Sequence, residues 1–104
     1  MQRGLELYEI LYLLEPVLTE TELEGKKDFY RDFLTNQGSQ VMVQNRGKRS
    51  LSYKIKGYET ANYVQMIYVG NKSLVNNLNT EMGRDEKILR SLTTKLPNLP
   101  EVLY

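Results

Sequence analysis

The chain contains no cysteine and no histidine. Without cysteine there is no disulfide framework, no zinc–thiolate site and no thiol nucleophile. Without histidine the commonest general base and the commonest metal ligand are missing. No run of eighteen apolar residues occurs, so no segment reads as a membrane-crossing helix. The opening MQRGLELYEI has neither the apolar core nor the small-residue cleavage site of a secretory signal. The phosphate-cradling patterns G-x-x-x-x-G-K-S/T and G-x-G-x-x-G are absent as well. Carboxylates and lysines remain, but they do not assemble into a reactive pair. Glu6 and Glu9 have opposite parity on an extended segment and cannot converge on one substrate. Glu20, Glu22 and Glu24 crowd the start of a helix, where the helix dipole accounts for them. The expectation is a protein that is not an enzyme and that uses no cofactor and no metal.

A length of 104 residues, with 40% apolar and 26% charged residues, fits one soluble domain with one modest core. The net charge of +1 is uninformative, but its distribution is not. Residues 1–32 carry eight acids and four bases, whereas residues 33–104 carry five acids and ten bases. No acid occurs between Asp32 and Glu59. Such a polarised chain points to a polyanionic partner.

Apolar periodicity divides the chain into six elements. LELYEILYLL (5–14) is apolar at nearly every position, as a central strand is, and Pro16 stops it. Residues 19–38 read as a helix opened by a Thr19–Glu22 capping box and closed by Gly38. Leu23, Tyr30, Phe33, Leu34 and Gln37 share one side of it. Residues 40–56 read as a long strand interrupted at Gly47, which predicts a bulge or bend. GYET (57–60) reads as a turn and ANYVQMIYV (61–69) as the returning strand. A short helix over 71–83, a strand over 85–96 and an extended tail, PNLPEVLY (97–104), complete the chain. The order is that of the ferredoxin-like split βαβ, an α+β fold with four antiparallel strands and two helices on one face. The expected domain is therefore residues 1–96, followed by the tail. The first and third strands should lie in the middle of the sheet, and both are apolar at both parities. One apolar face is then left without helices, which marks a partner surface unless the aliphatic stems and tyrosine rings cover one another.

GKRSLSYKIKGY (47–58) has four cations and no acid. Period two places Lys48, Ser50, Ser52, Lys54 and Lys56 on one face, with Arg49, Leu51, Tyr53 and Ile55 on the other. Two readings are open. Lysines on an edge strand prevent sheet-to-sheet aggregation; cations beside tyrosines also suit phosphates and sugars. A second basic group, Arg84, Lys87 and Arg90, is interleaved with Asp85 and Glu86, so local ion pairs suffice for it. The aromatic and glycine pattern of RRM-type modules is not met by ANYVQMIYV.

The run Gly47-Lys48-Arg49-Ser50-Leu51-Ser52-Tyr53-Lys54-Ile55-Lys56 resembles the signature of the bacterial and plastid small-subunit ribosomal protein S-six (S6) family. Tyr8-Glu9-Ile10, Leu14-Glu15-Pro16, the turn region ending in Tyr63, and Asp85-Glu86-Lys87-Ile88-Leu89-Arg90 extend the similarity over roughly residues 5–95. The resemblance implies a ferredoxin-like fold and a structural role in the small ribosomal subunit. It also implies binding to the central domain of small-subunit ribosomal RNA together with ribosomal protein S-eighteen (S18). Two departures stand out. The long acidic C-terminal extension of some members is missing from these 104 residues, and Asn45-Arg46-Gly47 stands where many members carry Trp-Gly. On this reading the RNA contacts are Arg3, Arg46, Lys48, Arg49, Lys54, Lys56 and Arg90. Leu51 and Ile55 are core, and Tyr53 is either core or a contact. The protein-partner contacts are Tyr53, Tyr58, Val64, Met66 and Leu92, with Leu99, Val102 and Tyr104 of the tail, which either folds back or docks on a partner. The expected location is the ribosome of a bacterial cytoplasm or plastid stroma, with no membrane and no small-molecule substrate. The alternative is a ferredoxin-like regulatory domain that binds a small molecule. An acylphosphatase-like enzyme would need an Arg in an N-terminal glycine loop and an Asn to orient water, and only Arg3 and Gly4 are there.

Overall fold

The computed structural model describes residues 5–97. Its elements are β1 (Glu6–Leu14), α1 (Glu20–Thr35), β2 (Val41–Ile55), β3 (Tyr58–Gly70), α2 (Lys72–Gly83) and β4 (Ile88–Leu96). They form one antiparallel sheet in the order β2-β3-β1-β4, the ferredoxin-like arrangement expected from the periodicity. The two strands that are apolar at both parities, β1 and β3, are the central pair. They run in unbroken register from Glu6 opposite Gly70 to Leu14 opposite Asn62. The tail residues Leu99, Val102 and Tyr104, and Arg3 at the other end, lie outside the described residues.

Alternation divides the side chains of the central strands between two faces. Tyr8, Ile10, Tyr12 and Leu14 of β1 and Val64, Met66 and Tyr68 of β3 point toward the helices. There they meet Tyr30 and Leu34 of α1 and Leu74, Leu78 and Met82 of α2 in the main core. Each helix begins where a cap satisfies its free N–H groups. The Thr19 hydroxyl accepts from the Glu22 amide at 3.2 Å while the Glu22 carboxylate accepts from the Thr19 amide at 2.8 Å, the capping box read from the sequence. Asn71 Oδ1 accepts from the Leu74 amide at 2.9 Å and starts α2.

The last strand begins later than its apolar pattern suggests, at Ile88, because Asp85 is occupied elsewhere. Its carboxylate accepts from Lys26 Nζ at 2.7 Å and from the Tyr30 hydroxyl at 2.6 Å, both on α1. The turn that this anchors, Asp85–Lys87, pins α1 to the entrance of β4. The expected local pairing with Arg84, Lys87 and Arg90 is therefore overturned; Lys87 instead reaches Glu15 at 3.6 Å. Burial pulls the Asp85 carboxyl upward, but its bonds from Lys26, Tyr30 and the Lys87 amide outweigh burial and hold it below the ordinary carboxylate range.

The core holds two polar atoms with no hydrogen-bond partner among the described residues, the hydroxyls of Tyr12 and Tyr68. Burial pushes both phenols up, Tyr68 to about 12. Tyr30→Phe, which leaves Asp85 short of a donor, should cost about 1–2 kcal/mol in urea unfolding. Tyr12→Phe and Tyr68→Phe should be neutral or stabilising by up to about 1 kcal/mol. The folded carboxyl of Asp85 is depressed, so its contribution is fully present above the unfolded carboxylate value and disappears as pH falls through the folded one. Unfolding midpoints followed below about pH 4 should show a shallower acid loss in Asp85→Asn than in the parent; equal slopes would contradict this.

Candidate nucleic-acid and partner interface

The basic segment is built by a hairpin whose two strands do not stay in register. The turn is Lys56–Gly57, with φ of 50° and 85° at successive positions, so it is a two-residue hairpin turn of the primed type. Tyr58, Glu59 and Thr60, read from the sequence as part of the turn, already belong to β3. Gly47 marks a bulge, as its place inside a strand suggested. Asn45 lies opposite Val64 and Gly47 opposite Tyr63, which leaves Arg46 as the extra residue. Gly47 has φ of 87° and its amide donates to Asn45 Oδ1 at 2.8 Å. A larger slip follows. Ser50 is opposite Thr60 and Ile55 opposite Tyr58, so residues 51–54 face Glu59 alone.

These slips bend the hairpin end across the face that has no helices. In a flat sheet of this order β2 and β4 would be about 14 Å apart, three strand spacings of ~4.8 Å. Yet Leu51, Tyr53 and Ile55 of β2 line the same hollow as Arg90 and Leu92 of β4, with Leu11, Leu13 and Tyr63 between them. Leu13, Ala61 and Leu89 are the buried centre of a second, smaller cluster here, and Leu51, Ile55, Tyr58 and Tyr63 pack against it. Leu51 and Ile55 are thus half-buried members of this satellite cluster, while Tyr53 is 65% exposed.

The expected row of Lys48, Ser50, Ser52, Lys54 and Lys56 is broken by the slip, since Lys48 stays on the helix side and Ser52 joins the open-face hollow, whereas Arg49 lies opposite Lys48 as period two predicts. Lys48 pairs with Asn62 and lines a cleft on the helix side with Glu20 and Glu24. Arg49 pairs with Ala61 and lies on the opposite, open face. Its guanidinium sits 5.7 Å from the Tyr63 ring centroid, and its Nε donates to the Arg46 carbonyl at 3.3 Å. Lys54 and Lys56 are exposed at the bent end of the hairpin. Arg90, on β4, is exposed beside Leu92.

Charge pairing separates this region from the rest of the surface. Lys26, Lys27, Arg31, Lys87 and Lys95 each hold an acid within 4 Å. Among the described residues, no ion pair involves Arg46, Lys48, Arg49, Lys54, Lys56 or Arg90. Arg46 donates to the neutral Gln44 side chain at 3.0 Å. On the open face, Glu9 accepts a hydrogen bond from Gln65.

Two expected partner contacts are corrected. Val64 and Met66 have no exposed surface; their parity on β3 sends them under the helices, into the main core. Tyr58 is half-buried against the satellite cluster. Leu92, 64% exposed, and Tyr53 are where a partner could reach them. Reading strand by strand missed that Tyr53, Leu92 and Arg90 line one hollow. Ser52 and Ser91, which also line the hollow, were not singled out either. Strict period two carries no signal for a four-against-one slip.

The turn generates a stability test. Lys56 is a non-glycine residue at positive φ, where asparagine is better tolerated. Lys56→Asn should stabilise by about 0.5–1 kcal/mol, and Gly57→Ala should destabilise by about 1 kcal/mol. Chemical denaturation midpoints check both.

A family model described as "Ribosomal protein S6" matches residues 7–95. The chain is 42% identical over 93 residues to the small ribosomal subunit protein bS6c of Guillardia theta, covering 88% of this chain and 97% of that one. It is 34% identical over 96 residues to the small ribosomal subunit protein bS6 of Campylobacter lari, covering 91% and 77%. Among solved structures, the 30S ribosomal protein S6 of Thermotoga maritima superposes with a TM-score of 0.83 over 88% of each chain. At 18% identity that likeness bears on the fold alone.

Proposed function

The chain belongs to the ribosomal protein S6 family, and from that premise we propose that it binds the central domain of small-subunit ribosomal RNA together with S18. Its coarser role follows from membership: it is a structural protein of the small ribosomal subunit and not an enzyme. The observation that carries the RNA reading is the set of unneutralised cations on the β2 hairpin. A surface built only to keep sheets apart would tolerate local acids. Among the described residues every acid in an ion pair serves a cation elsewhere, which leaves Arg46, Lys48, Arg49, Lys54 and Lys56 for an external anion. Because Lys48 and Arg49 point to opposite faces, the hairpin would sit with RNA on both flanks and its turn foremost. Such contacts position a protein on a phosphate backbone without reading sequence. S18 would cover apolar surface that the helices leave open, reached from Leu92 along β4. The compartment consistent with bacterial and plastid relatives is a bacterial cytoplasm or a plastid stroma, on the ribosome.

Binding to a central-domain RNA fragment, with and without S18, across a salt series tests this. Tight binding in the presence of S18, weakening with salt, is expected. Lys48→Ala with Arg49→Ala should lower the steepness of log K against log salt by roughly 0.7–0.9 for each phosphate that is no longer neutralised. Affinity that ignores both salt and these substitutions would refute the assignment of the hairpin.

A further inference from the structure

We propose that the hollow on the open face seats one unpaired RNA nucleotide, its base against Tyr53 and its phosphate on Arg90. The inference deepens the RNA reading above and rests on it. The hollow is about 230 Å³, large enough for one nucleobase and too small for a helix. Its lining is mostly apolar, with Leu11, Leu13, Leu51, Ile55 and Tyr63, and its polar residues are few: Ser52, Ser91 and Arg90. An apolar hollow with a small number of polar residues on its rim suits a small ligand with an apolar face. Tyr53 stands in its wall with 65% of its surface exposed. An exposed tyrosine ring offers a face on which an unstacked base can stack.

Charge favours RNA over an acid-poor protein surface. The Arg90 guanidinium has no ion pair among the described residues. Arg49, held in place by the Tyr63 ring and the Arg46 carbonyl, fixes a second guanidinium on the same face. One cation lining an apolar hollow and a second beside it on the Tyr63 ring complement a nucleotide, whose base is flat and whose flanking phosphates are anionic. They repel a second copy of this chain, which would bring four arginines together. The site exists because the four-against-one slip carries Ser52 and Tyr53 over the sheet toward β4. It is therefore a separate contact from the phosphate grip of the hairpin turn.

The test uses the full chain with two probes, a single-stranded pentauridylate and the central-domain RNA fragment with S18. Tyr53→Ala should weaken binding of both roughly tenfold, a typical loss for one stacked base, with the salt slope unchanged. Tyr53→Phe, which keeps the ring, should restore affinity to within about twofold. Arg90→Gln should weaken binding and lower the slope by about 0.7, one single-strand phosphate. Amide shifts on adding pentauridylate should centre on Leu11, Ser52, Ser91 and Leu92. If the parent binds the central-domain fragment in a salt-dependent way while Tyr53→Ala and Arg90→Gln change nothing, the nucleotide site is wrong and the RNA role stands. Loss of S18 affinity in Tyr53→Ala without loss of RNA affinity would give the hollow to the protein partner and overturn the proposal. A parent that binds neither RNA removes the premise and the site together.

Discussion

Two central strands that are apolar at both parities, in a sheet whose helices cover only one face, set the terms for everything else in this molecule. The β1–β3 pair places Tyr12, Val64 and Met66 beneath α1 and α2 and, by the same alternation, Leu11, Leu13 and Tyr63 on the other side. Connections of this topology are right-handed, so both helices fall on one side. The second apolar face must find its own cover. The chain meets part of that need by bending the β2–β3 hairpin across it, with Leu51 and Ile55 packed against the sheet. What the hairpin does not cover is the rim occupied by Tyr53, Arg90 and Leu92.

The bend therefore has two roles at once. It closes a satellite core, and it turns a basic edge strand into a projecting arm. Bulges, lysines and a tight turn are also the devices by which edge strands resist pairing with other sheets. The two readings of the basic segment are thus compatible in one structure: the same irregularities that blunt the edge expose its cations. What separates them is that, among the described residues, the hairpin cations form no ion pair. The α1 cations pair with Glu24, Asp28 and Asp85, while those of β2 pair with no acid within 4 Å among the described residues. An arm of unpaired charge opposes compact folding through self-repulsion. It is stabilised by contact with a polyanion, which accords with a protein built to work inside an assembly.

Asp85 is the counterpart at the opposite end of the sheet. It lies in a stretch that resembles the family and could be taken for one member of a surface charge cluster. In the folded chain its carboxylate gathers Lys26, Tyr30 and the Lys87 amide, and so locks α1 to the turn before β4. That turn sets where β4 starts, and hence where Arg90 and Leu92 stand beside β1. A hydrogen-bonded carboxylate under the helices and an exposed site above the sheet are linked through the registration of one edge strand.

Much of this was legible in the amino-acid order. Elements, order, both helix caps and the choice of central strands follow from local periodicities of 2 and 3.6 and from short-range hydrogen bonding, which neighbours in sequence determine. The bulge at Gly47 was legible too, because a glycine inside a strand has few other uses. The family resemblance rested on the run Gly47–Lys56, which is contiguous. The sequence did not disclose that Val64 and Met66 belong under the helices, since both parities of β3 are apolar and only packing tells the two faces apart. Nor did it disclose the slip over residues 51–54 or the meeting of Tyr53 with Arg90. Those depend on the register between β2 and β3 and on a hairpin end that bends over the sheet toward β4. Register is a property of paired backbones and is decided only when the tertiary structure closes.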